Sequence, residues 1–309
     1  MRRSLIFLLT AVTQFAWAQE VTRVERPLDY VNVLMGTQSV HLLSNGNTYP
    51  AIARPWGMNF WSPQTGKMGD GWMYTYTADK IRGFKQTHQP SPWMNDYGQF
   101  SIMPITGKRT FDENERASWF SHKAEVAQPH YYSVYLADHD VTTELTPTER
   151  AARFRFTFPQ TDSAYVVIDA FDKGSYIKIL PEENKIIGYT TRNSGGVPDN
   201  FKNYFVIVFD RPFANVGTFA DSVLVDDRME IQANHVGAVV GFHVTNRGEQ
   251  VQAKVASSFI SFQQAELNLN EIGDRDFDTV KEEGAEQWNS ELGKVDISGG
   301  TIDQVRTFY

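Results

Sequence analysis

Between about residue 28 and residue 262, apolar residues occur in short runs that alternate with polar ones or are rich in β-branched and aromatic types. Gly, Pro, Asn and Asp separate these runs, as is typical of strands joined by turns. The clearest predicted strands are 130–137, 151–158, 164–170, 185–191, 204–209, 236–244 and 251–262. Because no helical stripe interrupts them, we predict a mainly β fold, a large antiparallel β-sandwich, rather than a dinucleotide-binding βαβ fold.

The pattern becomes helical after Phe262. Residues 263–272 and 276–292 predict two helices, and the second has an apolar face opposite a charged one. That apolar face carries Phe277, Val280, Trp288 and Leu292. We therefore expect a helical linker over residues 263–300 that packs against another part of the protein. Trp288 is predicted to be a packing residue rather than a platform for a ligand.

The end of the chain carries a signal for the start of a helix. Thr301 and Gln304 fit a capping box that follows the Gly299-Gly300 break. An apolar stripe would follow, formed by Ile302, Val305 and either Phe308 or Tyr309. A helix that starts in this way and stops after two turns predicts that the chain is the N-terminal part of something longer, with a helical continuation. A frayed natural terminus is the alternative interpretation.

The first eighteen residues have the organisation of a secretory signal peptide. A basic region (Arg2 and Arg3) precedes an apolar run (5–12) and an AWA cleavage site (16–18). We expect residues 1–18 to be cleaved and the protein to be periplasmic or secreted; a buried N-terminal helix is the alternative. The apolar run is shorter than the roughly 20 residues of a membrane span, and no later segment reaches that length.

Composition and charge exclude several kinds of function. The 309 residues include 29 Lys and Arg against 37 Asp and Glu, which gives a formal net charge of −8. Cleavage of the signal peptide would remove two arginines and change the formal net charge of the exported chain from −8 to −10. A nucleic-acid partner needs a basic face, so it is not expected. The chain has no cysteine, which excludes disulfides, thiolate metal sites and a cysteine nucleophile.

Segment 45–98 has the composition of a binding surface. It contains four of the seven tryptophans, at positions 56, 61, 72 and 93, among many Gly, Pro and Asn residues. Long irregular segments cost conformational entropy and are common where a scaffold supports a functional site. Sugars suit such a surface, because their C–H faces stack on indole rings while Asn, Asp, Gln and His bind the hydroxyls. Tryptophans that only fill the sandwich core are the alternative.

Other chemistries have weaker support in the sequence. The seven histidines show no zinc-ligand spacing, and no G-x-S-x-G elbow supports a serine nucleophile. Asp226-Asp227 and Glu282-Glu283 are interpreted as solvated charge, since the side chains of adjacent residues point in different directions. No metal site or hydrolytic triad is therefore predicted from spacing alone.

Several motifs resemble those of glycoside hydrolase family 92, the calcium-dependent exo-acting α-mannosidases. The resemblance extends from about residue 28 to the last residue. It is carried by residues 31–36 (VNVLMG), 46–50 (GNTYP), 55–58 (PWGM), 71–74 (GWMY), 83–88 (GFKQTH), 89–93 (QPSPW), 96–98 (DYG), 288–289 (WN) and 299–301 (GGT).

The resemblance implies a domain organisation. Family members combine an N-terminal β-sandwich of the galactose-mutarotase-like or supersandwich type with a helical linker and a C-terminal (α/α)6 barrel, and the active site lies between the two domains. Residues 19–262 would be the sandwich, residues 263–300 the linker and residues 301–309 the start of the barrel, most of which is missing from this chain. The sandwich would pack against that barrel.

The resemblance also implies a reaction, the hydrolysis of mannose-containing glycans with inversion. Inversion requires a general acid and a general base whose carboxyl groups lie roughly 6.5–9.5 Å apart. Calcium would bind the mannose O2 and O3 and help to distort the ring. Because these carboxylates and the calcium ligands lie on the family's barrel, we assign no catalytic or metal-binding residue here and expect this chain alone to be inactive. The commonest family activity predicts α-1,2 linkages.

By resemblance, the sandwich supplies part of the mannose pocket. The predicted substrate-binding residues are Gly46, Asn47, Trp61, Trp72, His88 and Trp93. The first two would approach sugar hydroxyls through backbone and amide groups, and the indoles of Trp61 and Trp72 would wall the pocket. The last two are placed by motif alone, and for Asp96 a structural role and a ligand role are both open.

Two other functions stay open from the sequence. The first is a non-catalytic carbohydrate-binding β-sandwich, expected if the natural chain ends at Tyr309. The second is another enzyme that combines a sandwich with an (α/α)6 barrel, such as a glycoside phosphorylase, although the motifs disfavour it.

Overall fold

The computed structural model describes residues 21–38, 48–68, 73–88 and 97–309, so the predicted signal peptide lies outside the described residues. These residues contain eighteen strands and three α-helices. The strands are β1 Phe60–Gln64, β2 Lys80–Ile81, β3 Gly83–Thr87, β4 Ser101–Thr106, β5 Ser118–Trp119, β6 Val126–Gln128, β7 Tyr131–Leu136, β8 Val141–Pro147, β9 Ala151–Phe158, β10 Thr161–Asp169, β11 Ser175–Leu180, β12 Lys185–Thr190, β13 Asn203–Phe209, β14 Asn215–Ala220, β15 Val223–Asp226, β16 Glu230–Ala233, β17 Val236–Val244 and β18 Glu249–Ser258.

Two large antiparallel sheets form the body. One has seven strands in the order β1-β3-β4-β10-β17-β14-β15, and the other has nine in the order β16-β11-β12-β13-β18-β9-β8-β7-β6. Strands β2 and β5 pair separately. Side chains from both large sheets join in one apolar core, which confirms the predicted mainly β sandwich.

All seven strands predicted from the sequence are present, with small differences at their ends. The largest difference is in the last of them, predicted over residues 251–262, because β18 already ends at Ser258. The side chain of Ser261 accepts a hydrogen bond from the backbone N–H of Gln264 and begins a helix at Phe262. This N-cap, with its extended backbone, accounts for the early change from strand to helix.

The core is built by strands whose side chains alternate between the two faces. On β9, Phe154, Phe156 and Phe158 are buried, whereas the alternating Arg153, Arg155 and Thr157 are partly exposed. Aromatic contacts link the two sheets. For example, the ring of Phe100, just before β4, stacks on the ring of Phe205 on β13, with centroids 4.4 Å apart. Such alternation is expected where one face of a strand contacts a core.

The three α-helices are α1 Phe262–Leu269, α2 Phe277–Leu292 and α3 Ile302–Phe308. Both helices predicted after residue 262 are therefore confirmed. The capping box at the start of α3 is also present: the Thr301 side chain accepts from the Gln304 backbone, and the Gln304 side chain accepts from the Thr301 backbone. None of the helices in the described ranges is long and apolar enough to cross a membrane.

Helix α2 fixes the loop that precedes β1 onto the sandwich. The indole N–H of Trp288 donates to the Ala53 carbonyl at 2.8 Å, so Trp288 packs as predicted. The Arg54 guanidinium donates to the carbonyls of Pro147 and Val280, both at 2.7 Å, and so bridges β8 and α2. Helix α2 thereby positions the loop that enters the first strand of the seven-stranded sheet.

His130 is buried where α2 crosses the sandwich, and it makes stability depend on pH. A Cβ at Gly284 would lie 2.9 Å from the Cβ of His130, so the absence of a side chain permits this close approach. Burial, with the nearby positive charges of Lys281, Arg54 and Arg26, lowers the pKa of His130 to about 4 from 6.5. The unfolded chain therefore binds a proton at a higher pH than the folded chain does.

The contribution of neutral His130 to stability is complete above pH 6.5 and is lost as the pH falls towards 4. At 1.36 kcal/mol per pKa unit, the loss is roughly 3 kcal/mol. We expect His130→Gln to remove most of this loss when urea unfolding is measured from pH 7 to pH 4. His243 is exposed, so His243→Gln should show the same pH dependence of the unfolding free energy as the wild type. If His130→Gln also kept that pH dependence, burial of His130 would not be its cause.

Candidate functional site

A cleft of about 380 Å³ lies where two of the predicted sugar-binding segments join the described structure. It is lined by Asn32, Leu34, Gly36, Gln38 and Tyr76. Four of these residues, from Asn32 to Gln38, come just before segment 39–47 in the sequence, and Tyr76 comes just after segment 69–72. The cleft combines two amide side chains with a tyrosine ring that is 38% exposed. These groups suit a ligand with both hydroxyls and an apolar face.

The backbone around the cleft is held by hydrogen bonds between distant residues. Tyr76 N–H donates to the Thr37 carbonyl at 3.1 Å, and Thr48 N–H donates to the Gly36 carbonyl at 3.3 Å. The Thr48 hydroxyl also donates to the Met35 carbonyl at 2.8 Å. Gly36 has a φ of 78°, in the left-handed region that favours glycine. The described residues before and after segment 39–47 are thereby brought together beside Tyr76.

A buried carboxylate lies behind the cleft. The side chain of Glu125 is 0% exposed, and it accepts hydrogen bonds from the hydroxyl of Tyr132 at 2.6 Å and from that of Tyr74 at 3.1 Å. Burial raises the pKa of both tyrosines, and the charge of Glu125 raises each further. Both hydroxyls therefore remain protonated donors, and they fix the carboxylate in place.

His122 connects this carboxylate to the cleft. Its Nδ1 lies 2.6 Å from a Glu125 oxygen, and its Nε2 lies 2.6 Å from the Tyr76 carbonyl oxygen. A carbonyl oxygen can only accept, so Nε2 carries a proton. The Nδ1–Glu125 contact needs a second proton, held by either partner. The imidazole also stacks on the Tyr76 ring, with centroids 3.9 Å apart and planes at 5°.

A second group of predicted importance surrounds His88, just after β3. Its Nδ1 lies 2.9 Å from the Tyr97 carbonyl oxygen and so donates to it. Its ring lies against that of Phe259, with centroids 4.7 Å apart. Phe259 in turn contacts Phe201, at 5.5 Å between ring centroids. His88 is thus held at the end of the sandwich, and its predicted role in sugar binding stays a prediction.

The start of β13 holds the backbone beyond Tyr97. Asn203 is fully buried, and its amide donates to the Gly98 carbonyl at 2.6 Å and to Gln86 at 3.3 Å. Gly98 has a φ of 69°, and a Cβ there would lie 2.3 Å from that of Asn203. Only glycine fits this position. The two sheets are thereby joined directly beside segment 89–96.

Four of the six predicted substrate-binding residues lie outside the described residues. These are Gly46, Asn47, Trp72 and Trp93. Asp96 lies outside them too. Their roles stay predictions, while the described segments on either side of them meet at the cleft and at His88.

The structure corrects the predicted role of Trp61 as a wall of the sugar pocket. Its side chain is 0% exposed and belongs to the sandwich core. The indole makes edge contacts with Phe154 at 4.9 Å and with Phe100 at 5.7 Å. An indole with no solvent-exposed area offers no face to a sugar. Position 61 is on the inner face of β1, which the motif alone could not reveal.

A buried ion cluster at the end of β10 was not found from the sequence. Arg116 and Asp169 are 0% and 1% exposed, and their side chains meet at 2.8 Å. His235 Nε2 lies 2.8 Å from the other Asp169 oxygen. Burial raises the pKa of Asp169, but the Arg116 charge and the His235 hydrogen bond outweigh it, so the pKa lies below its usual value. No local signal could have revealed partners so far apart in sequence.

Trp56 is a further residue that the motif contained but the site prediction omitted. It is 87% exposed, and its φ of 62° is unusual for a bulky side chain. The loop is fixed by hydrogen bonds from Gly57 N–H to the Arg54 carbonyl at 3.0 Å and from Met58 N–H to the Glu149 carbonyl at 2.8 Å. A strained backbone that holds an exposed indole in one position is typical of residues that bind a ligand or a partner.

The acidic side chains of the described residues are not grouped into a metal-binding cluster. Within residues 21–38, 48–68, 73–88 and 97–309, no three His, Asp or Glu side chains are grouped so that they could hold a metal ion. The buried carboxylates of Asp169 and Glu125 are already occupied by Arg116, His235, His122 and tyrosine hydroxyls. The donor sets found here therefore do not fit a calcium ion, which takes six to eight oxygen ligands.

Comparisons with known proteins agree with this fold. Residues 30–258 match the glycosyl hydrolase family 92 N-terminal domain, and residues 264–309 match the glycosyl hydrolase family 92 catalytic domain. A solved family 92 inverting mannosidase from Bacteroides thetaiotaomicron VPI-5482 is 49% identical, with a TM-score of 0.89. The match covers 92% of this chain and 38% of that protein.

Two further relatives are similar along most of this chain. A family 92 α-mannosidase from Bacteroides thetaiotaomicron is 29% identical with a TM-score of 0.81, over 93% of this chain and 40% of its own. An uncharacterized secreted glycosidase from Arthroderma benhamiae is 22% identical, over 91% of this chain and 40% of its own. The chain thus spans about two fifths of the length of these relatives. It belongs to glycoside hydrolase family 92 and corresponds to the N-terminal portion of these relatives.

Proposed function

We propose that this chain supplies part of the mannose pocket of an exported, exo-acting α-mannosidase that hydrolyses its substrate with inversion. The observation that carries the proposal is the family 92 match over residues 30–258, together with 49% identity to an inverting mannosidase. Export is supported by the signal-peptide pattern of residues 1–18 and by similarity to a secreted glycosidase.

The cleft beside Tyr76 gives the proposal its physical basis. Sugar hydroxyls exchange hydrogen bonds with amides, and the C–H face of a pyranose stacks on an aromatic ring. Asn32, Gln38 and Tyr76 offer both kinds of group within a space of about 380 Å³. The predicted Gly46, Asn47 and Trp72 belong to the two segments that join the structure next to it.

Catalysis requires groups that we assign to the remainder of the catalytic domain. An inverting glycosidase needs a general acid and a general base separated by roughly 6.5–9.5 Å. Calcium bound there would hold the mannose O2 and O3 and stabilise charge as the ring distorts. This chain would bind and orient the sugar, while proton transfer would take place on the other domain. The 309-residue chain alone would therefore bind sugar weakly and not turn it over.

We assign the surface for the catalytic domain to the end of the sandwich that carries His88. Phe259 lies against the His88 ring, and Trp56 and Met58 shortly precede Phe60, which pairs with Thr87. The large apolar side chains exposed there are Trp56, Met58, Phe259 and Ile260, which are 87%, 51%, 39% and 75% exposed. Apolar groups clustered at one end of a soluble domain mark an interaction surface. Covering them with the catalytic domain would enclose the sugar site between the two domains.

The test is hydrolysis of α-1,2-mannobiose and of an aryl α-mannoside by the longer gene product, beside the 309-residue chain. We expect release of mannose by the longer protein, loss of release with a calcium chelator, and none by the 309-residue chain. Among α-1,2, α-1,3, α-1,4 and α-1,6 mannobioses, the α-1,2 isomer should be cleaved fastest. Sugar binding without release by the longer protein would instead support a non-catalytic carbohydrate-binding module.

A further inference from the structure

Tyr76 contacts two different environments. Its ring lines the cleft together with Asn32 and Gln38, and one ring face lies on the imidazole of His122 at 3.9 Å. One ring face is therefore covered by the imidazole, while the residue as a whole is still 38% exposed and lines the cleft. An aromatic ring held in this way can present its other face to a flat apolar partner.

The support beneath Tyr76 is a chain of short hydrogen bonds that ends in the core. Tyr132 and Tyr74, both 0% exposed, donate to Glu125, and Glu125 holds Nδ1 of His122 at 2.6 Å. Nε2 of His122 donates to the backbone carbonyl of Tyr76 itself. The ring and the backbone of Tyr76 are therefore fixed by the same imidazole.

This arrangement is more elaborate than packing requires. A buried carboxylate costs free energy unless its oxygens are satisfied, and here they are satisfied by two tyrosines and a histidine. The last member of the network, His122, is still 28% exposed. Buried polar networks of this kind fix geometry, because each member has one preferred arrangement. The residue whose position is fixed at the surface is Tyr76.

We propose that Tyr76 is the aromatic wall of a pyranose-binding subsite in this cleft, and that His122 and Glu125 are positioning residues that hold its ring. The ligand is a single sugar residue with an apolar C–H face towards Tyr76 and hydroxyls towards the amides of Asn32 and Gln38. The proposal rests on the proposed function for the identity of that sugar, mannose. Neither His122 nor Glu125 touches the sugar.

The test compares variants of the longer gene product in steady-state hydrolysis of α-1,2-mannobiose. Tyr76→Ala should raise KM about tenfold with little change in kcat, since it removes one stacking contact. His122→Gln should raise KM about threefold or more, because the ring of Tyr76 loses its support. Tyr76→Phe keeps the ring and should stay within about twofold of wild type.

The matched control is Tyr135→Ala, since Tyr135 is 41% exposed on β7 and does not line the cleft. A purely structural role of Tyr76 would lower the melting temperature and the active fraction without changing KM. The proposal is overturned if KM of both Tyr76→Ala and His122→Gln stays within about twofold of wild type, or if Tyr135→Ala raises KM equally. If Tyr76→Ala does not fold, His122→Gln and Tyr76→Phe decide the question.

A separate measurement distinguishes this proposal from the proposed function. If the longer protein does not hydrolyse mannosides, the 309-residue chain is titrated with methyl α-mannoside and with the corresponding glucoside and galactoside, followed by intrinsic fluorescence. Binding of any of these sugars that Tyr76→Ala abolishes would retain the subsite and reject the mannosidase. Absence of binding to all three would overturn the subsite as well.

Discussion

Asp169→Asn is expected to lower the free energy of unfolding by about 3–5 kcal/mol, because it leaves the buried Arg116 guanidinium without its ion-pair partner. Both side chains are almost inaccessible to solvent and meet at 2.8 Å. Asn has nearly the same shape, so the loss reports the charge together with the hydrogen bonds that the replaced carboxylate oxygen accepts. Glu113, at 3.8 Å from Arg116, is too far away to replace Asp169 fully. The measurement is urea unfolding followed by circular dichroism.

The control is Asp226→Asn, which removes the ion pair to Arg109 at a residue whose side chain is 57% exposed. Exposed pairs contribute at most about 1 kcal/mol, so this variant should remain close to wild type. A loss below about 1 kcal/mol for Asp169→Asn would show that the cluster is not the buried charge network described here.

Trp61→Ala should cost about 3–5 kcal/mol of unfolding free energy, because it opens a large cavity between the two sheets. The indole is 0% exposed and contacts Phe154 and Phe100. Trp61→Phe should cost less, since it retains one aromatic ring in the core. Thermal and urea unfolding of the three proteins would measure the series.

Trp119→Ala is the matched control, since that indole is 47% exposed beside Lys80. It should change stability by no more than about 1 kcal/mol. Loss of sugar binding in Trp61→Ala without loss of stability would contradict the core assignment and restore position 61 to the pocket. The two tryptophans therefore separate a core role from a surface role.

Much of the fold could be predicted from the sequence, because its main signals are local. Alternation along β9 and the apolar face of α2 each depend on residues a few positions apart. The capping box of Thr301 and Gln304 is a signal of four residues, and it occurs as predicted. These patterns predict the structure well because the apolar face of each element is also the face that is buried in the folded protein.

The candidate site was less predictable, because its contacts join distant parts of the chain. Glu125 accepts a hydrogen bond from Tyr74, 51 positions away, and Asp169 pairs with Arg116, 53 positions away. Nothing in the neighbouring residues indicates these partners. Trp61 shows the opposite error. The composition of segment 45–98 indicated a sugar-binding surface. The position of Trp61 on β1, which pairs with β3, places its indole in the core instead.

The central claim, an inverting α-mannosidase of family 92, is tested most directly by the anomer that is formed first. Proton NMR of an α-mannoside during hydrolysis by the longer gene product should show β-mannose appearing before mutarotation, as inversion requires. First appearance of α-mannose, or no release of mannose with calcium present, would contradict the account.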